Sequence, residues 1–475
     1  MRHRLLSLLL LATPALLAGC GGSGTPAAPG SACQNPIGTS AAPSSWVQHF
    51  ATVKVGSAIS FQVPANTASV TIVEQAVHAP DTIDYQPAGG SAQRLDNSAV
   101  PLEVTDASGR IIYNDNPSTP VTDPNQIANQ LAFFASDAPA TGTLTVPNTS
   151  GGLALVGTGG LAPGTWTATV SDYAYECTFQ QPSGTTCSGG SAASTYDVTV
   201  ITKPIIPGVG IPTQGTLDIV VYFANLKSDP TLSAATAGAD SDLQQMESRL
   251  RTLLAGGGLA IGTVRYVDLP DAVQTQYALG IDADQTGGCS QVADLFRNAA
   301  PGTTLNIFFV SQITAGGSSS NQVVGLDGTI PGPATIGGTA GSGAAVSAAD
   351  LRNHTGCGTA PNYDQCGPDE TAYIIAHEAG HFLGLYHVTE ADGTQFDPLL
   401  STPMCPCKSC ASTPSSCATT SSSSSTSYMM SVADCTRGST CGGGDNLMFW
   451  RLESGSQGTL LPEQASVMLA NPLVQ

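Results

Sequence analysis

The sequence predicts an α+β protein, an N-terminal all-β sandwich domain followed by a mixed α/β domain that ends in a helix bearing histidines. Three observations predict it. From about Trp46 to Lys203, short runs of β-formers alternate with turns, and no helical period of useful length appears. From Leu217 the pattern changes to strand, amphipathic helix, strand and a later apolar strand. Then comes His377-Glu378-Ala379-Gly380-His381-Phe382-Leu383-Gly384-Leu385-Tyr386-His387, whose first two histidines fall one helical turn apart on one face.

Taken in order, Met1 to Arg4 is basic and Leu5 to Leu17 is an apolar run too short for a stable bilayer span. It ends in Leu17-Ala18-Gly19-Cys20, which resembles the lipobox of bacterial lipoproteins. That resemblance implies a signal peptide over residues 1–19 and an acylated Cys20 as the mature N-terminus. Gly21 after the cysteine implies an outer-membrane lipoprotein, in the cell envelope, periplasmic or surface-exposed. Residues 20–45 then form a lipidated, flexible tether rich in Gly, Ser, Pro and Ala.

The β domain, 46–203, draws strands from Ser60–Val63, Ser69–Val73, Leu102–Val104, Leu153–Val156, Trp166–Val170 and Tyr196–Val200, with turns at Pro64–Asn66 and Asp106–Gly109. The stretch Ala162 to Val170 resembles the late strands of sandwich domains appended to secreted bacterial peptidases. Substrate or surface binding, covering the active site, and simple spacing all remain open for it. Residues 204–216, with three prolines and two glycines in Pro204–Gln214, read as a linker.

The second domain, 217–475, opens with the strand Leu217–Ala224. Ser241 and Gln244 have capping-box spacing, and Leu243, Met246, Leu250, Leu253 and Leu254 give one apolar stripe ended by Gly256-Gly257-Gly258. Val264–Leu269 and Leu305–Ile313 follow as strands. Somewhere in the Gly-rich stretch between Gly325 and Ala349 an antiparallel edge strand is expected to pair with extended substrate. Asp282, Asp284 and Asp364 are the residues for a calcium ion, the weaker cofactor expectation, since no EF-hand spacing appears and solvated loops compete with it. His354 reads as a loop residue. Asp369 and Glu370 suit the N-terminus of the histidine helix, straight after Pro368.

The motif itself sets the chemistry. His377 and His381 reach one metal ion from one face, and Glu378 stands beside it to take a proton from water. On a continuing helix His387 would lie about 240° round and about 9 Å further along. The helix must therefore stop, and Gly384 is the residue that bends it at little cost. Three neutral imidazoles with an open position make a catalytic rather than a structural zinc site. The spacing resembles the metzincin metalloproteases, whose signature is H-E-x-x-H-x-x-G-x-x-H. The resemblance implies a twisted mixed sheet plus zinc helix, and a C-terminal subdomain with a Met-turn under the metal. Asn446-Leu447-Met448 fits that turn, with Met429 and Met430 as rivals, and Leu461 to Gln464 then starts a final helix. The pappalysin-like group is nearest, though it carries Tyr where this chain has Trp450.

Thirteen cysteines are many for a reducing compartment. Setting Cys20 aside leaves an even number, read as up to six disulfides, with Cys177–Cys187 and Cys357–Cys366 as local guesses. Six of them lie in a Cys- and Ser-rich segment, 404–444, where Cys405-x-Cys407-x-x-Cys410 competes as a second metal site. The net charge is −20, and losing Arg2 and Arg4 with the signal peptide lowers it by two more. Such a chain has no basic face for nucleic acid.

These readings lead to one expectation: a lipid-anchored zinc endopeptidase, monomeric, acting on protein or peptide substrates. His377, His381 and His387 hold Zn²⁺, Glu378 is the base, Gly384 the bend and Met448 the floor. The rivals are a surface-binding lipoprotein with a silent protease domain and a zinc amidase acting on cell-wall peptide.

Overall fold

The computed structural model describes residues 37–86, 92–115, 124–134, 138–179, 186–188, 194–226, 229–315, 318–354, 367–417, 428–437, 440–453 and 457–475. The signal peptide, Cys20 and Asp364 lie outside these.

The chain is α+β, with more sheet than helix. In the first half, β1 (Val47–Lys54), β2 (Ala58–Val63), β3 (Thr67–His78), β4 (Thr82–Gln86), β5 (Gln93–Asp96), β6 (Ala99–Thr105) and β7 (Ile111–Asn114) precede a short helix α1 (Pro124–Asn129). Then come β8 (Thr141–Val146), α2 (Ser150–Val156), β9 (Gly164–Asp172), α3 (Tyr173–Phe179), β10 (Thr186–Ser188) and β11 (Thr195–Pro204). Two four-stranded antiparallel sheets, ordered β1-β11-β3-β8 and β2-β9-β6-β7, contribute to one apolar core around Phe61, Ile72, Leu144, Trp166 and Val198. The strands expected at 60–63, 69–73, 102–104, 166–170 and 196–200 all form. Leu153–Val156 does not: it is helical, because Thr149 caps it by accepting from Gly152 N–H. A four-residue apolar run fits either state, and the cap decides.

The second half forms around β12 (Gly215–Asn225). After it come α4 (Ser241–Ala255), β13 (Leu259–Asp268), α5 (Asp271–Gln276), β14 (Ile281–Asp282), α6 (Gln291–Phe296), β15 (Thr304–Val310), β16 (Ile313–Ala315), β17 (Ser318–Val323), β18 (Gly325–Asp327) and β19 (Ala344–Ser347). The chain ends with α7 (Gly367–Phe382), α8 (Cys407–Cys410) and α9 (Pro462–Ala470). The five-stranded sheet runs β13-β12-β15-β19-β18, parallel except for the antiparallel edge β18. Both faces of β12 are covered: Leu217, Ile219, Val221 and Phe223 face one cluster with α4 and α7, while Val220, Tyr222 and Ala224 face another with Leu295 and Phe296. The α4 stripe is buried at all five expected positions. Its cap is Asp240 rather than Ser241: the carboxylate accepts from Asp242 N–H and Leu243 N–H and is itself held by Arg352.

The two halves are joined by buried polar contacts. Lys203, at the end of β11, is only 5% exposed and donates to the carbonyls of Leu469, Asn471 and Val474 at 2.7, 3.0 and 2.7 Å. Ser69 donates to Ala470 O, and Ser150 donates to Glu463. Residues at the end of the expected tether are docked too, since Ser40 bridges Ile336 and Ala41 N–H donates to Thr335 O.

Lys203→Met should test the joint. It keeps the bulk of the side chain but removes the donor from three buried carbonyls, a loss on the order of 3 kcal/mol. A denaturant midpoint equal to wild type would show that these carbonyls find another partner.

Candidate metal centre

The site is assembled from α7, the bend after it and a turn near the C-terminus. α7 is buried almost all round, with Ala372, Ile375, Ala376, Ala379 and Phe382 in the core and Asp369 and Glu370 in its first turn. The chain leaves the helix at Gly384, whose φ of +111° is a conformation that side chains oppose. His387 is thereby turned back onto the face that holds His377 and His381.

The three side chains meet through Nε2: His377 and His387 are 3.2 Å apart, His381 and His387 3.1 Å. Each ring meets an acceptor through Nδ1. His377 Nδ1–H donates to Leu447 O at 2.7 Å, His381 to Leu385 O at 2.8 Å, and His387 to a Glu390 carboxylate oxygen at 3.0 Å. Carbonyl and carboxylate oxygens only accept, so a neutral ring at each of these places holds its proton on Nδ1 and leaves its Nε2 lone pair bare. Burial, then repulsion from His387, holds His377 down to about 3 and His381 well below the ordinary histidine value. Bare lone pairs at this spacing repel one another unless a cation sits among them. Two nitrogens on a tetrahedral zinc at about 2.0–2.1 Å stand about 3.3 Å apart, close to the spacing here. The donor set therefore fits a metal. Among the described residues these three histidines form the one such group of metal-ligating side chains.

Glu378 is 5% exposed, and among the described residues no protein group donates to its carboxylate; burial pushes it up to about 8. A cation at the imidazoles acts the other way. The edge strand β18 passes so close that a side-chain carbon at Gly325 would stand 2.5 Å from Glu378 Oε1.

Met448, next to Leu447, is fully buried. A Cβ at Gly380 would stand 2.4 Å from its sulfur, which explains the glycine between the motif histidines. The turn carrying Met448 is fixed by Asn446, which accepts from Met448 N–H and exchanges hydrogen bonds with Gln464 of α9. Trp450 donates Nε1–H to Met430 O, so its indole N–H is engaged with the backbone. Of the rivals to Met448, Met429 is 52% exposed, whereas Met430 is buried under the turn at Gly393.

The Cys405–Cys410 group is not a second metal site. Three disulfides, Cys405–Cys435, Cys407–Cys417 and Cys410–Cys441, consume it, as an oxidising compartment would predict. Cys177 and Cys289 are also disulfide-bonded. In the local guesses, the side chains of Cys187, Cys357 and Cys366 lie outside the described set. Asp282 caps its own turn by accepting from Asp284 N–H. His354 is a loop residue paired with Asp242.

Sequence reasoning missed Glu390 and the carbonyls of Leu385 and Leu447. The carbonyls carry no side-chain signal. Glu390 lies three residues past His387, a spacing that means nothing until the turn is known.

No family model and no curated protein matches the chain. Among solved structures it is similar to a carbohydrate esterase family 2 enzyme with a carbohydrate-binding domain from Corynascus thermopiles (Myceliophthora fergusii). The identity is 10%, the TM-score 0.10, and the match covers 57% of this chain and 64% of that one. It is also similar to a family two carbohydrate esterase from Cellvibrio japonicus, with 13% identity, TM-score 0.10, and 58% and 63% coverage. The chain thus spans less than two thirds of either enzyme. Both are described as carbohydrate esterases, and the expectation of a protein-cleaving endopeptidase finds no support in either. A TM-score of 0.10 carries no argument for their fold or substrate.

Replacing the methionines separates floor from bystander. Met448→Ala and Met430→Ala should each cost about 2–5 kcal/mol, as buried methionines do. Met429→Ala should stay within about 0.5 kcal/mol. Denaturant unfolding that ranks Met448→Ala with Met429→Ala would remove Met448 from the floor.

Proposed function

We propose that the chain is a metal-dependent hydrolase of acyl bonds, with zinc held by His377, His381 and His387 and Glu378 as general base. The observation that supports it most is the set of three bare Nε2 atoms turned toward one point beside a buried carboxylate. When bound, the metal polarises an acyl oxygen and makes water a stronger acid. Glu378, one residue from His377, takes the proton of the attacking water and returns it to the leaving group. Its burial keeps that exchange away from bulk solvent. Gly384 directs His387 into the set, and Met448 supports the rings from below.

The shape of the substrate follows from β18. It pairs with β19 on one side, and no described strand pairs with its outer edge. An extended chain laid there would take backbone hydrogen bonds and bring an acyl carbon near Glu378. In this reading the metzincin-like motif describes the centre, and the two N-terminal antiparallel sheets form an accessory sandwich.

The test uses the purified chain with a peptide library and a panel of acetyl esters, each with and without chelator. Wild type should bind about one zinc and turn over at least one panel only without chelator. Glu378→Ala should keep the metal and lose about 10²–10⁴ in kcat. His381→Ala should lose the metal. Full zinc with near-normal turnover in Glu378→Ala would end the proposal.

The lipobox-like Leu17-Ala18-Gly19-Cys20 supports an envelope location, with a lipid on Cys20. Among the described residues no helix is long and apolar enough to cross a membrane. Cys20→Ser should shift the protein from the membrane fraction or leave an uncleaved precursor; unchanged mass and partition would remove the anchor.

A further inference from the structure

The three imidazoles are not supported alike. His377 and His381 sit on α7, where the helix aims the rings, and their Nδ1–H groups meet backbone carbonyls. His387 lies beyond the bend, with no helix to orient it. Its Nδ1 meets Glu390, the one charged side chain among the three acceptors, at 3.0 Å, and each of the two side chains is 23% exposed.

Glu390 is itself held. Its N–H donates to Gln395 O, and its carbonyl accepts from Gly393 N–H, closing a tight turn. Gly393 has a φ of +64° and accepts from Cys407 N–H, while Ala391 O accepts from Met430 N–H. Cys407 is fixed in turn by its disulfide to Cys417. The turn that presents the carboxylate is thus tied to the disulfide-bonded segment at both Ala391 and Gly393.

We propose that Glu390 is the positioning residue of the third ligand: it sets the His387 tautomer and ring direction, and its charge makes the bare Nε2 a stronger donor to the metal. This rests on the metal reading above. A carboxylate behind a ligating imidazole draws the Nδ1 proton toward itself and enriches the ring in electron density. A neutral acceptor at the same place keeps the tautomer but loses the enrichment. Loss of both leaves the ring free to rotate or to carry its proton on Nε2, where it blocks ligation.

The experiment measures zinc affinity of the full chain by competition with a coloured chelator, and thermal unfolding of the metal-free protein, for four proteins. Glu390→Ala should bind zinc about 10–100-fold more weakly, the range for outer partners of ligating histidines. Glu390→Gln should fall between it and wild type, because the amide oxygen still accepts. Asp392→Asn removes a charge from the same turn, where among the described residues the Asp392 carboxylate accepts only from Thr394, and should stay near wild type. If Glu390→Ala lowers the metal-free melting temperature, the near-isosteric Glu390→Gln remains the deciding variant. Equal affinity in wild type and Glu390→Gln and Glu390→Ala, or a loss no larger than in Asp392→Asn, overturns the proposal while leaving the metal site standing. A wild-type chain that takes up no zinc overturns both.

Discussion

Everything at this centre depends on holding three imidazole nitrogens together, His387 Nε2 standing 3.2 Å from that of His377 and 3.1 Å from that of His381. Left to themselves the rings would rotate, or place a proton between two of them and share it. The structure prevents this from behind, by putting an acceptor at each Nδ1. Those acceptors come from separate places: Leu385 in the bend, Leu447 in the methionine turn and Glu390 in the turn that follows His387. The site is therefore only as well defined as the relative positions of three pieces of chain.

Much of the remaining structure can be understood as fixing those pieces. Leu385 N–H reaches back to Gly380 O, so the bend is closed onto the helix it leaves. Val388 N–H donates to Met448 O, joining the strip after the third histidine to the methionine turn. That turn is gripped by Gln464 on α9 and by Tyr373 of α7, whose hydroxyl donates to Asn446 O. The carbonyls at and beyond the end of α9 go to Lys203, on the last strand of the N-terminal sheets. A helix C-terminus leaves carbonyls unpaired, and a buried ammonium is a strong partner for them. The N-terminal sheets are thus built into the support of the centre, not merely strung before it.

What could be read from the sequence was local. His377, Glu378, His381, Gly384 and His387 declare themselves because helical period and one left-handed residue fix their relation. Met448 was legible by its neighbours Asn446 and Leu447. Gly380 was in plain view, but its reason, the sulfur of Met448, is contributed from far along the chain. The same limit applies to the fold. The α4 stripe and β12 could be placed, while the α4 cap shifted to Asp240, held by the distant Arg352, and Leu153–Val156 went helical through one capping threonine. The edge strand, β18, is three residues long with a glycine at its start, too short to give an alternating pattern. Bond class had no signal at all, since it depends on the surroundings of the three histidines rather than on the histidines themselves.

The cysteine-rich segment shows how a chain holds a functional turn where it has little core to spend. Among the described residues between His387 and α9 regular structure is scarce: α8 spans only Cys407–Cys410. Three disulfides with separations of 10, 30 and 31 residues take the place of packing there. Closing loops of this size removes about 3 kcal/mol or more each from the freedom of the unfolded chain in the entropic account. Their half-cystines are all buried and adjoin Met430 and Val432 in the main cluster, so the constraint reaches inward. It ends on Gly393 and Ala391, the two residues that bracket the turn behind His387. Sulfur in this segment thus acts on the three-histidine cluster at one remove: it adds no side chain to the cluster, and instead fixes the backbone that carries Glu390.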